Sequence, residues 1–191
     1  DMILAWAVIL GVIIALIRDG RSAFGRIAGI PLRYLWLVLA AVILQIPLLR
    51  SVTGPVSDVR VQQILFLISF VLLLVFIWIN RHLNGVLVIG AGVILNLVVI
   101  LANAGFMPIS PETLLRINPG TELSAWQANL HYGGSKDIIL GKGDTNLWFL
   151  SDIFIIPSPF PFPVAFSVGD IVIAIGIIYL LMYPAGDKAE I

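Results

Sequence analysis

The sequence predicts an all-α integral membrane protein, a bundle of five transmembrane helices with a structured extracytoplasmic loop. Three observations carry that expectation. Apolar residues make up 60% of the 191 positions and charged ones only 12%, about half the share of an ordinary soluble domain. The mean hydropathy is +1.06. The charges are gathered between five uncharged runs whose lengths approach the roughly 20 residues that a helix needs to cross a bilayer. The same composition excludes other classes. Without cysteine there is no disulfide framework, and a formal net charge of zero offers no basic footprint for nucleic acid.

The first run, about 2–17, is closed by Arg18, Asp19, Gly20 and Arg21. It is short for a span, so Arg18 is expected to snorkel to the interface. It lacks a basic start and a small-residue cleavage site, and so reads as a helix of the bundle instead of a signal peptide. Ala7, Gly11 and Ala15 recur at every fourth position along it, a stripe that permits close helix packing. The second run, about 32–49, carries Arg33 in its first turn and holds Gln45, Ile46 and Pro47 near its end. The third, about 61–80, is the clearest span. The fourth, about 83–104, offers Gly92 and Asn96 as a similar packing face, and Gly105 supplies a C-terminal stop. The fifth, about 167–183, is closed by Pro184. A further uncharged run lies between Asp152 and Asp170, but Pro157, Pro159, Pro161 and Pro163 stand at every second position in it. Each proline removes a donor and clashes with the preceding turn, at about 3 kcal/mol in a helix interior. The run is therefore read as an extended, polyproline-like strip, with Phe160 and Phe162 in the headgroup layer.

The distribution of Lys and Arg sets the orientation. Arg18, Arg21, Arg26 and Arg33 follow the first helix, Arg50 and Arg60 lie in the next connection, Arg81 in the third and Lys188 in the tail. With the first connection cytoplasmic, the basic residues of the short segments fall mostly inside, as the positive-inside rule prefers. The N-terminus is then outside and the C-terminus cytoplasmic. Residues 103–166 become the extracytoplasmic loop of a single membrane domain covering 1–191. In that loop Ser110, Pro111 and Glu112 form a helix start, a glycine-rich region containing His131 follows, and Asp144 or Thr145 is expected to cap a helical turn over 146–150. Trp126, Trp148, Phe149 and Phe154 are placed to rest the loop on the membrane surface.

Few residues are suited to chemistry. His82 and His131 are the only histidines and fall on opposite sides of the membrane, so no metal site and no cofactor of the chain's own is expected. His131 is a candidate base, or an axial ligand for a pigment or haem held by a larger assembly, with a structural hydrogen bond as the alternative. Asp170 stands in Ser167-Val168-Gly169-Asp170 directly before an apolar run, which is the spacing of a capping box. Its alternative role is a functional carboxylate paired with Asp152 or Arg116. Gln45, Ser69 and Asn96 are the polar residues inside the runs, and Asn96 reads as glue between helices. Gly141-Lys142-Gly143-Asp144 lacks the spacing of a phosphate loop.

Several stretches together resemble a family of bacterial membrane proteins catalogued only as a domain of unknown function. They are the short first helix ending in its Arg/Gly turn, Asn103-Ala104-Gly105-Phe106-Met107-Pro108, the His131 region, residues 145–152 and Phe166-Ser167-Val168-Gly169-Asp170, so that the resemblance spans nearly the whole chain. The resemblance implies a bacterial inner membrane, five helices and a structured outer loop, and brings no activity. It marks Asn103, Met107, Pro108, His131, Asp152 and Asp170 as the positions to test. Asn96, Asn103, Pro108, Ser167 and Asp170 are expected in structural roles. For function the leading expectation is a non-catalytic subunit that packs against other membrane chains in a larger, energy-transducing complex. The alternatives are a binder or carrier of a lipid, pigment or other apolar molecule, and an interfacial enzyme using His131 with Asp152 or Asp170.

The four arginines of the first connection generate a topology prediction. In living cells, single cysteines at Ser22 and Asn84 should be shielded from a membrane-impermeant thiol reagent, and those at Ser57 and Ser135 should react. Labelling at Ser22 with protection at Ser135 would reverse the orientation.

Overall fold

A computed structural model describes residues 2–50, 59–120, 137–157, 160 and 162–183. Among them the chain is mostly helical, with seven α-helices: α1 (Met2–Asp19), α2 (Ser22–Ala28), α3 (Trp36–Arg50), α4 (Val59–Ile79), α5 (Val86–Ala102), α6 (Pro111–Ile117) and α7 (Val168–Met182). Two segments, Met2–Asp19 and Arg60–Ile79, are long and apolar enough to cross a membrane by length and composition; α5, α7 and the Trp36–Gln45 part of α3 are shorter and apolar. Four short strands complete the fold: β1 (Met107–Ile109), β2 (Asp137–Ile139), β3 (Phe154–Ile156) and β4 (Val164–Phe166).

The tightest packing is between α5 and α7, which run antiparallel. Gly92 faces Gly169 and Gly85 faces Gly176, so the same seven-residue interval separates the glycines on both sides. A seven-residue repeat keeps one seam of a helix turned toward its partner. The seam residues at the four contact points are glycines, and the side chains of Ile173, Asn96 and Ile89 pack directly against Gly92, Gly169 and Gly176. A Cβ added to Gly92 would lie 2.5 Å from the carbonyl oxygen of Gly169, and one added to Gly176 would lie 2.9 Å from that of Gly85. The two backbones therefore touch, an approach that residues this small allow. Gly85 also has φ +81°, which lets the 80–85 turn enter α5 at this contact.

The other helices dock around this pair. The stripe Ala7, Gly11 and Ala15 is the buried face of α1, and a Cβ on Gly11 would come within 3.3 Å of the Ile178 backbone of α7. At the far end of the same helices Arg18 Nη2 donates to Met182 O at 2.6 Å, and Asn84 Nδ2 donates to Tyr183 O at 3.1 Å. These bonds occupy carbonyls that a helix C-terminus leaves without intrahelical partners. Helix α3 lies along α4, where Gln45 Nε2 donates to Ser69 Oγ at 2.9 Å and Ser69 Oγ donates to Phe66 O at 2.6 Å. Phe66, Phe70, Val93, Ile100 and Ile173 form the centre of the apolar core.

The element boundaries differ from the sequence expectation at three places. The expected helix over 32–49 begins only at Trp36, because Asn80, fully buried at the end of α4, takes the backbone of Arg33. Its Oδ1 accepts from Arg33 N at 2.8 Å and its Nδ2 donates to Arg33 O at 2.9 Å, holding this residue as a strand would. The expected helix over 83–104 shortens to 86–102, since Ala104 (φ +55°) and Gly105 (φ +85°) turn the chain back, with Gly105 N bonded to Ile100 O at 2.8 Å. The first connection contains α2, tied by Arg26 to Asp19.

Beyond α5 the chain folds into a small second layer. Strands β1 and β2 pair in parallel, with Met107 opposite Asp137; β3 and β4 pair antiparallel, with Phe154 stacked on Phe166 at 5.7 Å between ring centroids. Ile109, Leu114, Ile117 and Ile139 form the core of this layer. The proline strip is non-helical over the residues described. It carries a paired strand at each end, and Phe160 meets Trp6 of α1 edge-on at 5.5 Å. The expected helical turn over 146–150 is a 3-10 turn at Trp148–Leu150, entered through Leu147 at φ +54° with no side-chain cap. Thr145 instead donates from Oγ1 to Gly141 O at 2.9 Å, closing the preceding turn.

Candidate functional site

The most developed polar cluster lies where α5 passes the start of α7. Asn96 stands one turn beyond Gly92, so the bare contact between Gly92 and Gly169 carries its amide onto the first turn of α7. Ser167 is the N-cap of α7 in extended conformation (φ −99°, ψ 171°), and Asp170 is the third helical residue. Asp170 N donates to Ser167 Oγ at 3.0 Å and Ser167 N donates to Asp170 Oδ2 at 2.9 Å, which are the two reciprocal bonds of a capping box. Asn96 Nδ2 donates to Asp170 Oδ1 at 2.9 Å, and Ser167 Oγ lies 2.7 Å from Asn96 Oδ1 and 2.9 Å from Asp170 Oδ2.

Proton bookkeeping orders this cluster. The Ser167 hydroxyl has one proton and already accepts from Asp170 N. Asp170 Oδ2 already accepts from Ser167 N. The hydroxyl proton therefore goes to Asn96 Oδ1, the shorter contact, while the Asn96 nitrogen faces the carboxylate. All three side chains are buried, with Asp170 3% exposed, and each charged or polar atom has a partner. The carboxylate also faces the positive end of the α7 dipole. Its partners are Asn96 and Ser167, in place of the Asp152 or Arg116 that the sequence offers.

The cluster forms one wall of a chamber of about 280 Å³ inside the bundle. Leu4 of α1, Ala41 of α3, Phe66 and Phe70 of α4, and Val93 and Ile173 supply apolar walls. Gln45 from α3 is the third polar residue on the chamber besides Asn96 and Asp170. Two of the three polar residues read inside the apolar runs, Gln45 and Asn96, thus reach one cavity, and Ser69 holds Gln45 in place.

The remaining sequence candidates are elsewhere. Asn103 caps the end of α5: its Nδ2 donates to Val99 O and to Asn146 O, each at 2.8 Å, and its Oδ1 accepts from Asn146 N at 2.9 Å, so it ties the outer layer to the helix. Met107 is fully buried and Pro108 lies in β1, where its carbonyl accepts from Asp152 N at 3.3 Å. Asp152 is buried beside that strand. His82 is exposed in the 80–85 turn. His131 lies outside the described residues. Asn80 and Asn146 were not legible as site-building residues. Each is an asparagine at an element end, the one signal that could have drawn attention to them.

Fold and cluster together define a mostly helical protein, two of whose helices are long and apolar enough to cross a membrane, with a largely apolar chamber bordered by a few polar side chains. Residues 29–182 match the model of a family of unknown function, DUF5317, and the chain belongs to that family. Among curated proteins and among solved structures, none matches the chain.

The cluster generates a substitution series read by thermal unfolding in detergent. Asp170→Ala and Ser167→Ala should each lose on the order of 1 kcal/mol, the value of a lost cap. Asp170→Asn should lose less, because flipping the Asn96 amide restores every donor–acceptor pairing. Asn96→Asp should lose more than either alanine, since it sets two carboxylates in hydrogen-bond contact. The exchange Asn96→Asp with Asp170→Asn should recover most of that loss, and equal melting of the single and exchanged variants would refute the assigned amide orientation.

Proposed function

We propose that this is a five-helix integral protein of a bacterial inner membrane, N-terminus outside, that binds an apolar small molecule or lipid carrying one polar end. The chamber between α1, α3, α4, α5 and α7 is its site. Helices α3, α5 and α7 have 15, 17 and 15 residues. At 1.5 Å per residue they reach roughly 22 to 26 Å, short of the hydrocarbon thickness of about 30 Å. The 30–34 segment, the 80–85 turn and local thinning of the bilayer would make up the difference.

The chamber's composition carries the functional reading. A pocket in a bundle with mostly apolar walls and a few convergent polar groups is the usual form of a small-molecule site, and about 280 Å³ lies just below the common range of roughly 300 to 1,000 Å³. After the bonds within the cluster are counted, Asn96 keeps a second N–H and Gln45 keeps its carbonyl oxygen. Those atoms would orient a hydroxyl, carbonyl or amide head while the tail lies against Phe66, Phe70 and Val93. The accessory-subunit reading is supported by outward apolar side chains such as Trp36, Leu39 and Ile43 on α3. A lipid annulus covers these equally well, whereas the chamber supports the binding reading.

Gentle extraction followed by native mass spectrometry tests the reading. The wild-type protein should retain a small apolar molecule at close to one per chain. Ala41→Phe, which fills the chamber from α3, should release it while keeping the melting midpoint within a few degrees. A wild-type protein that carries nothing, or a filled variant that retains the same molecule, would refute the assignment.

A further inference from the structure

The outer layer holds a second hollow, of about 300 Å³, remote from the chamber in its lining. Glu112, in the first turn of α6, and Lys142, in the 141–144 turn, both line it. No ion pair joins the two, in contrast to Asp19, which pairs with Arg18 and Arg26. Lys142 is held by a different contact, its Nζ lying 3.7 Å from the centroid of the Trp148 ring. That cation–π contact stations the ammonium at the hollow without neutralising it. The neighbouring hydroxyls turn their protons away, Thr145 Oγ1 toward Gly141 O at 2.9 Å and Ser151 Oγ toward Trp148 O at 2.6 Å. Their oxygen lone pairs remain able to accept.

The hollow is therefore lined by one cation, one carboxylate and hydroxyl acceptors. A simple anion would be drawn to Lys142 but repelled by Glu112, and a simple cation would meet the reverse. A ligand bearing both charges satisfies both. The acceptors further require N–H donors on its positive group, which a primary ammonium has and a trimethylammonium lacks. Trp148, which lines this hollow, is 40% exposed, and an aromatic side chain of this kind favours the headgroup level of a bilayer.

We propose that this hollow binds an aminoethyl phosphate group, with the phosphate on Lys142 and the ammonium on Glu112, Thr145 and Ser151. The group has two sources, the headgroup of an ethanolamine phospholipid and a free ethanolamine phosphate ester. The chamber assignment is not involved, so either site can fail alone.

The test uses the full chain in maltoside micelles, titrated calorimetrically with O-phosphoethanolamine, phosphocholine and inorganic phosphate. In parallel, nanodiscs containing ethanolamine or choline phospholipid are analysed by native mass spectrometry for retained lipid. Saturable binding of O-phosphoethanolamine, at least tenfold tighter than the other two, assigns the free ester as a ligand; selective retention of the ethanolamine phospholipid assigns the lipid. Either result should weaken at least tenfold in Glu112→Gln and in Lys142→Gln, with the melting midpoint unchanged. Selectivity in neither arm, or full binding by both variants, would overturn the proposal.

Discussion

Direct contact between the backbones of α5 and α7 is the constraint on which the other features depend. Side chains normally hold two helices 8 to 10 Å apart. Glycine at all four contact points removes that spacer, and the carbonyl of Gly169 then lies where a Cβ of Gly92 would be. Only at such a separation can the short amide of Asn96 reach the first turn of α7 and bond both Ser167 and Asp170. The small-residue face of α1 then closes on the other side of α7, and the space left between these helices, α3 and α4 becomes the chamber.

An apolar surrounding makes these polar side chains act as fasteners. An unpaired amide or hydroxyl in such a medium costs several kcal/mol, so each is held to a partner. Asparagine and glutamine recur in this role, and each joins a different pair of elements. Asn96 joins α5 to α7, Gln45 joins α3 to α4, Asn80 joins α4 to the segment before α3, and Asn103 joins α5 to the outer layer. The residues that fasten the bundle and those that border the chamber are in part the same. Stability and binding would consequently respond together to changes at Asn96 and Asp170, whereas Ala41 separates them.

Much of this was legible because it is local. Apolar runs, the Ser167 and Asp170 spacing, the Ser110 cap of α6 and the stripe of α1 are read within a few residues of sequence, and the structure places a helix, a cap or a buried face at each. The features that escaped depend on distant partners. Nothing near Arg33 announces that Asn80 will take its backbone, and α2 is too short for periodicity to register. The strands are segments of only three residues, and β1 finds its partner β2 across a long gap. Gly92 and Asn96 were readable as a packing face, but not that Gly85, Gly169 and Gly176 complete a seam with it, because the seven-residue interval has meaning only once the two helices are known to be antiparallel. The candidate site was half legible for the same reason: its α7 half is a sequence motif, and its α5 half arrives by packing.

The most direct measurement of the central constraint is the sign of the stability change when the seam gains a single methyl group. Alanine is the better helix former by about 1 kcal/mol, so without a backbone contact Gly92→Ala should melt higher than the wild type in detergent. With the contact, Gly92→Ala and Gly169→Ala should both melt several degrees lower, while Gly25→Ala, where a Cβ meets open space in α2, should not. A midpoint for Gly92→Ala and Gly169→Ala at or above that of the wild type would contradict the packing of α5 on α7.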